Sequence, residues 1–328
     1  MIPTKSLSIL QFNLIQLNIC HLSATSIQLF SESINSPVTE IIGGLPGNVR
    51  LWLKRDDLIH PALSGNKWRK LKYNLLNAEQ NNQKTLITKG GAFSNHIYAT
   101  AAAAKMFGYD SIGIIRGEEV NNPTLDFAKS CGMKLVFIDR TLFRAIDEDF
   151  PHESIGIKSD GACFLPEGGT NQKAILGTAE LAAETIGQLG FIPDYFCVPA
   201  GTGGTAAGLI NGLKGEAKVQ AYSALKGDFL KNEISRYLSD TASAWTLETD
   251  YHFGGYAKYN AALIDFINDF KEKQGIQLDP LYTGKMMYGI YDKIRDGLFP
   301  PGSNILAIHT GGLQGNEGFR FRHGDLLT

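Results

Sequence analysis

Cysteine is scarce in this chain, and its placement excludes two structural uses. Cys20, Cys131, Cys163 and Cys197 are scattered over 328 residues with no CxxC pair. That excludes a disulfide-stapled scaffold and a thiolate zinc site, and it points to a reducing, cytoplasmic setting. Seven histidines show no HxxxH or similar spacing, so no metal centre is expected. An excess of either charge is also missing: 31 Lys and Arg face 33 Asp and Glu. No net field therefore recruits nucleic acid or an acidic membrane surface. No apolar run reaches the ~20 residues of a membrane helix, and no internal repeat is visible. Residues 1–24 come nearest to a targeting signal, with Lys5 ahead of Ser6 to Phe12 and Ser23-Ala24 as an end point. Gln11, Asn13, Gln16 and Asn18 interrupt that stretch and no A-x-A site follows, so an N-terminal extension is expected, not a secretion signal.

Glycine, by contrast, is abundant: 36 residues, gathered where loops turn into helices. Close backbone approach to a ligand would explain this, as would tight turns of an α/β fold. The pattern between the glycines alternates. Strands are expected at Val49–Arg55, Thr85–Thr88, Ser111–Arg116, Lys134–Asp139, Tyr195–Val198, Val219–Ser223 and Ile305–Ile308. Helices are expected at Pro123–Ser130, Lys173–Leu189, Asp228–Leu238 and Ala261–Lys273, with an alanine-rich one from His96 to Phe107 closed by Gly108. Thr141–Gly161 reads as charged and irregular. The rhythm is that of parallel sheets with helical crossovers, in two α/β domains, with ligands at the carboxyl ends of the strands.

The chain is organised around Leu63-Ser64-Gly65-Asn66-Lys67-Trp68-Arg69-Lys70-Leu71. Lys67 sits where a Ser-Gly turn becomes a helix with an apolar stripe at Trp68, Leu71 and Leu75. A partly desolvated lysine favours its neutral, nucleophilic amine, as Schiff-base chemistry with a pyridoxal aldehyde requires. A solvated helix-start lysine is the plain alternative, and the loops that follow weigh against it. Gly201-Thr202-Gly203-Gly204-Thr205 runs from an apolar strand into a helix, so its amides, hydroxyls and helix dipole converge as an anion nest. It suits a compact monophosphate. Gly201, Gly203 and Ala206 also fit G-x-G-x-x-A, which would imply an NAD-dependent dehydrogenase with Asp228 as its ribose-binding acid. A third loop, Gly90 to His96, opens the alanine-rich helix. Ser94 or Asn95 is expected there as an N-cap, but the preceding Gly-Gly implies close approach to a ligand. Lys285 reads as a helix-start cation, and Trp52 and Trp68 as core or domain-interface packing. The Tyr251–Tyr259 aromatics are expected to cover a core.

Six short motifs lie in one order: Lys-Arg-Asp-Asp (54–57), Gly-Asn-Lys-x-Arg-Lys-Leu (65–71), Ser-Asn-His (94–96), Gly-Thr-Gly-Gly-Thr (201–205), Asp-Pro-Leu-Tyr-Thr-Gly-Lys (279–285) and His-Thr-Gly-Gly (309–312). In that order they resemble the fold-type II pyridoxal-phosphate enzymes, and among them the family of 1-aminocyclopropane-1-carboxylate deaminase and D-cysteine desulfhydrase. The resemblance runs from about Ile41 to Gly318. It implies a two-domain α/β fold like that of tryptophan synthase β. Residues 1–69 and 167–328 would form the larger, cofactor-binding domain, and 70–166 a smaller one closing over a small amino-acid substrate. It also implies a homodimer. Lys67 would bond to the cofactor aldehyde and then move the proton at Cα. Asn95 would meet the ring hydroxyl, Gly201–Thr205 the phosphate, and Thr283 and Thr310 the ring. Ser94, Asn95 and His96 would grip the substrate carboxylate, while Tyr282, and Tyr256 in Gly254-Gly255-Tyr256, would lie at the reacting carbon.

Two departures bear on the reaction. Ring-opening deaminases resembled by this chain carry Tyr-Glu-Gly-Lys and His-Leu-Gly-Gly, whereas Thr283 and Thr310 stand here, as in the desulfhydrase branch. A carboxylate at the pyridine nitrogen keeps the ring a strong electron sink, and a threonine hydroxyl gives a weaker pull. Expelling a thiolate from Cβ needs less pull than breaking a cyclopropane bond. The expectation is therefore β-elimination of D-cysteine to pyruvate, ammonia and hydrogen sulfide. Ring opening to 2-oxobutyrate is the alternative within the family. The dehydrogenase, and a ligand-binding module without catalysis, are the rivals outside it.

Overall fold

The structure is a computed structural model that describes residues 34–328; the reading of residues 1–24, and Cys20 with it, lies outside the described residues. Val38–Glu40 (β1) and Arg50–Arg55 (β2) open the chain. Thr85–Gly91 (β3), Asp110–Arg116 (β4), Lys134–Ile138 (β5) and Ala162–Leu165 (β6) follow, then Tyr195–Ala200 (β7), Lys218–Ser223 (β8), Trp245–Glu248 (β9) and Asn304–His309 (β10). They form two sheets, one of six strands in the order β1-β2-β10-β7-β8-β9 and one of four in the order β5-β4-β3-β6. Only β1 is antiparallel to its neighbour.

The helices are Asn66–Gln80 (α1), Asn95–Phe107 (α2), Pro123–Ser130 (α3), Arg140–Ala145 (α4), Gln172–Leu189 (α5), Gly204–Leu213 (α6), Leu230–Ser235 (α7), Ala261–Gln274 (α8), Thr283–Arg295 (α9) and Gly315–His323 (α10). Crossover helices cover both faces of the larger sheet, so its central strands are apolar throughout. Alternation splits each strand between two cores. Leu51, Leu53, Ile305 and Ala307 face α8 and α9, while Trp52, Phe196, Val198, Leu306 and Ile308 face α5 and α6. Trp68, Leu71 and Leu75 of α1 pack with the alanines of α2. Part of the glycine excess serves this packing. A methyl group at Gly177 of α5 would lie 2.0 Å from the Arg69 carbonyl oxygen, and one at Gly208 of α6 would lie 1.9 Å from Thr178 Oγ1.

Most expected elements are present, with ends shifted by one to three residues. The irregular segment after β5 differs, because Asp139 caps a short helix there by accepting from Thr141 and Leu142 amides. The helix expected over Asp228–Leu238 shrinks to α7. Strands β1 and β9 and helix α10 were not anticipated; β1 and β9 are edge strands of three and four residues, too short to show a period. Cys163 and Cys197 are buried free thiols, and the Trp52 and Trp68 rings are buried. Among the described residues no helix is long and apolar enough to cross a membrane.

Candidate active site

Lys67 is placed by two turns pressed against each other. Gly65 precedes α1 with φ +63°, and a methyl group there would fall 1.8 Å from the Thr310 carbonyl oxygen. Asn66 N–H donates to that same oxygen at 3.1 Å. Gly311, with φ +70°, returns the contact: its own methyl would lie 2.9 Å from Gly65 Cα. The first turn of α1 is thereby fixed to the carboxyl end of β10. From it Lys67 reaches into a cavity of about 2370 Å³ and donates from Nζ to the Gly168 carbonyl at 3.1 Å. Burial pushes its pKa down to about 8.

The Gly201–Thr205 loop leaves β7 and opens α6 with no side-chain cap, so the first amides of that helix are left for a ligand. Around it stand the hydroxyls of Thr170 and Thr202, 2.7 Å apart, and that of Thr205, which accepts from Asn66 Nδ2 at 2.9 Å. A side chain at Gly204 would meet Thr170 Cγ2 at 2.8 Å and Lys70 Nζ at 3.1 Å. Lys70 is the residue that sequence reasoning missed. It is buried, and donates to the Gly168 carbonyl and to Thr170 Oγ1, both at 2.9 Å. Burial, and after it the nearby Lys67 charge, hold its pKa well below the ordinary lysine value. The available signal was its spacing: three residues after Lys67, it shares that helix face.

Ser94 caps α2, accepting from His96 and Ile97 amides at 3.2 and 3.3 Å. Its own hydroxyl proton remains free to donate. Asn95 leans on the His-Thr-Gly-Gly turn, where a methyl group at Gly312 would lie 2.7 Å from Nδ2. His96 is buried against Gly169, and neither ring nitrogen has a hydrogen-bond partner. Burial, then the positive Lys67 and Lys70, push its pKa well below the usual histidine value, so the ring is neutral. It is a polar group awaiting a ligand.

Tyr282 lies over Gly201, and its ring centroid is 6.3 Å from that of Tyr256. Burial, then the neighbouring Tyr256 oxygen, keep the Tyr282 phenol protonated far above neutral pH. Lys67, Ser94, Asn95, His96, Gly201–Thr205, Tyr256, Tyr282 and Thr310 all line the one cavity. Thr283 does not, contrary to the expectation that it meets a ring there. It is fully buried at the start of α9, where its hydroxyl donates to Asp279 and accepts from the Asp279 amide at 3.0 Å. Asp279 also accepts from the amides of Leu281, Tyr282 and Thr283. The motif turns its tyrosine to the cavity and its threonine inward. Lys285 differs too: it is a buried strut, donating to the carbonyls of His252 and Gly255 at 2.8 Å each and so bracing the loop that carries Tyr256. Asp228 is exposed and does not line the cavity.

The sequence profile described as "Pyridoxal-phosphate dependent enzyme" matches residues 37–311. The chain belongs to the pyridoxal-phosphate dependent enzymes. Within them it is similar to a protein of Pyrococcus horikoshii provisionally named a 1-aminocyclopropane-1-carboxylate deaminase, 32% identical over 300 residues, covering 84% of this chain and 87% of that one. It is also similar to a mitochondrial Arabidopsis thaliana protein named as a bifunctional D-cysteine desulfhydrase/1-aminocyclopropane-1-carboxylate deaminase, 31% identical, covering 83% of this chain and 74% of that one. Among solved structures, an ACC deaminase homologue superposes with a TM-score of 0.74 at 27% identity, covering 93% of this chain and all of the other. The fold is the fold-type II architecture and the cofactor is pyridoxal 5'-phosphate. The dinucleotide reading of Gly201–Ala206 is overturned by the family match.

The residues present fit this cofactor. An uncapped helix start beside Lys70, Thr170 and Thr202 suits its phosphate, and a half-buried amine stands ready for its aldehyde. One pH dependence follows from the Lys67 pKa of about 8. The amine is mostly protonated at pH 7 and mostly neutral at pH 9, so the rate at which apoenzyme takes up the cofactor should rise about tenfold across that interval, then level off. Trapping with borohydride at timed intervals measures it. A rate still climbing near the ordinary lysine pKa of about 10.4 would mean that the amine is not desolvated.

Proposed function

We propose that this chain is a D-cysteine desulfhydrase that converts D-cysteine and water to pyruvate, ammonia and hydrogen sulfide, as a cytoplasmic homodimer. The substrate choice is carried by the neutral end of β10, where Thr310 faces the cavity while Thr283 and Asp279 are engaged with each other and with backbone amides. When bound, the cofactor supplies an aldehyde for the substrate amine and a conjugated ring that draws electrons from Cα. With the uncharged Thr310 on the cavity wall that draw would be moderate, enough for a β-thiolate to leave.

Lys70, Thr170, Thr202 and the amides of Gly201–Thr205 would hold the phosphate, and Asn95 the ring hydroxyl. Lys67 would hold the aldehyde, and its free amine would take the Cα proton. The Ser94 hydroxyl, Asn95 and the neutral His96 ring donate to the substrate carboxylate. Tyr282 and Tyr256 close the cavity over Cβ and exclude water while the carbon–sulfur bond breaks. The four-stranded sheet, inside residues 70–166, forms the core of the smaller domain, which closes on residues 1–69 and 167–328. The three described cysteines are free thiols, which suits a reducing compartment.

Ring opening of 1-aminocyclopropane-1-carboxylate is the second reading, favoured by the name of the Pyrococcus relative. Product assays decide between them. Sulfide and pyruvate should appear from D-cysteine, and little 2-oxobutyrate from the cyclopropane substrate. Faster release of 2-oxobutyrate would reverse the assignment.

A further inference from the structure

We propose that Arg116 sets the specificity of the cavity: its guanidinium receives the charge of the substrate's β-substituent, so the chain takes small amino acids whose β-group is, or leaves as, an anion. This rests on reading the site as that of a β-eliminating lyase. Arg116 closes β4 and pairs across the sheet with Gly91, the last residue of β3. Both stand at the carboxyl end of the parallel sheet, and Gly91 is three residues ahead of Ser94 and the proposed carboxylate grip. A side chain at Gly91 would meet Arg116 Nη2 at 3.5 Å. On its other side, Nη1 lies 3.7 Å from Glu167 Oε1. Glu167 adjoins Gly168, the residue whose carbonyl accepts from Lys67. Arg116 is therefore bracketed between the two loops that flank the reacting atoms.

Two of the other cations that line the cavity are spent. Lys70 serves the phosphate loop, and Lys89 donates to the carbonyls of Phe143 and Ile146. Arg116 rests on Phe143, its Cζ 5.3 Å from the ring centroid, which orients the fork. Yet it donates no hydrogen bond to any described residue, and its ion pair with Glu167 is longer than a hydrogen bond. Its side chain is 42% exposed. Burial raises the Tyr256 pKa; the Tyr282 hydrogen bond and the Arg116 charge oppose that, which places the cation within electrostatic reach of the tyrosine pair. An oriented fork of five donors with none committed is suited to a carboxylate, a sulfonate or a departing sulfur anion. In the elimination the Cα proton passes to Lys67 and the Cβ–S bond breaks with its electron pair on sulfur. Hydrosulfide leaves beside Arg116; water then supplies the ketone oxygen of pyruvate as the nitrogen leaves as ammonia.

The test uses the holoenzyme and the isosteric pair aspartate and asparagine, each in D and L forms, with alanine of both hands as control. Binding is read as the shift of the visible absorption band. Wild type should respond to aspartate of the preferred hand at a concentration about ten- to a hundredfold below that of asparagine. Arg116→Gln should erase that preference while alanine binding stays within about threefold, and Arg116→Lys, a point charge without the fork, should keep part of it. Equal responses to aspartate and asparagine in wild type, a preference that survives Arg116→Gln, or no response to any analogue would overturn the proposal. Should Arg116→Gln not fold, Arg116→Lys decides: an undiminished preference overturns it. Sulfide release from D-cysteine is measured alongside. A wild type that prefers aspartate in an Arg116-dependent way but releases no sulfide keeps the role of Arg116 and removes only the D-cysteine assignment.

Discussion

Lys67→Ala should yield a folded protein that loses its cofactor on dialysis, shows no visible band for borohydride to bleach, and turns over at least about 10³-fold more slowly. Two functions disappear together. On the proposed mechanism the amine is the attachment point for the aldehyde and the base at Cα, the neutral His96 being assigned to the carboxylate grip. The fold should tolerate the change, because Lys67 donates only to the Gly168 carbonyl and Lys70 donates there as well. The sign of the stability effect is defined. A lysine whose folded pKa is depressed to about 8 costs stability at low pH, because the folded state must hold the proton without solvent. That cost is full below about pH 8 and fades as pH rises towards the unfolded value of about 10.4. Apo Lys67→Ala should therefore be at least as stable as apo wild type at pH 7, with the gap closing at higher pH. Retained colour and turnover in the variant would remove Lys67 from the mechanism.

Asp56→Ala should be the most damaging substitution away from the cavity, lowering stability by about 3–5 kcal/mol. Arg69 is buried two residues after Lys67 and receives Asp56 through a two-point contact, Nε to Oδ2 at 2.6 Å and Nη2 to Oδ1 at 2.7 Å. Glu184 of α5 is its second partner, at 2.8 Å from Nη1, but Glu184 also pairs with the fully buried Lys54. Without Asp56, two buried cations would share one carboxylate. Asp56 also accepts from the Ser36 hydroxyl at 2.6 Å, and its carbonyl accepts from Gly65 N–H at 2.9 Å, so the turn before Lys67 loosens too. Urea denaturation of the apoprotein followed by far-ultraviolet circular dichroism measures the loss. A change below about 1 kcal/mol would mean that water enters and screens Arg69.

These two residues mark how far the sequence could be read. Lys67 was legible because a Ser-Gly turn, a lysine and an apolar stripe are local signals, and so were the anion nest and the Ser94 cap. The Lys-Arg-Asp-Asp motif was visible as a motif but mute as to purpose. Its long-range side-chain hydrogen bonds join residues 13 to 134 positions apart, and no local period encodes them. Lys70 was hidden in a run of bases, two of which, Arg69 and Lys72, point elsewhere. Thr283 went astray for a related reason: adjacent residues at a helix start diverge by about a quarter turn, and the turn that presents Tyr282 to the cavity sends Thr283 inward to Asp279. Arg116 ends an ordinary strand, and its unspent fork is apparent only once Gly91, Phe143 and Glu167 surround it. The sheets were foreseeable from alternation; the edge strands β1 and β9 were too short to announce themselves.

The clasp between Gly65 and Thr310 has a consequence for anyone who wishes to retool this enzyme. It leaves no slack between the two segments, which lie 245 positions apart, since even one added carbon at residue 65 collides with the opposing carbonyl. Grafting either motif from a relative with different chemistry would shift the other, and the amine with it. The two stretches are one mechanical part, and a successful transplant must carry both.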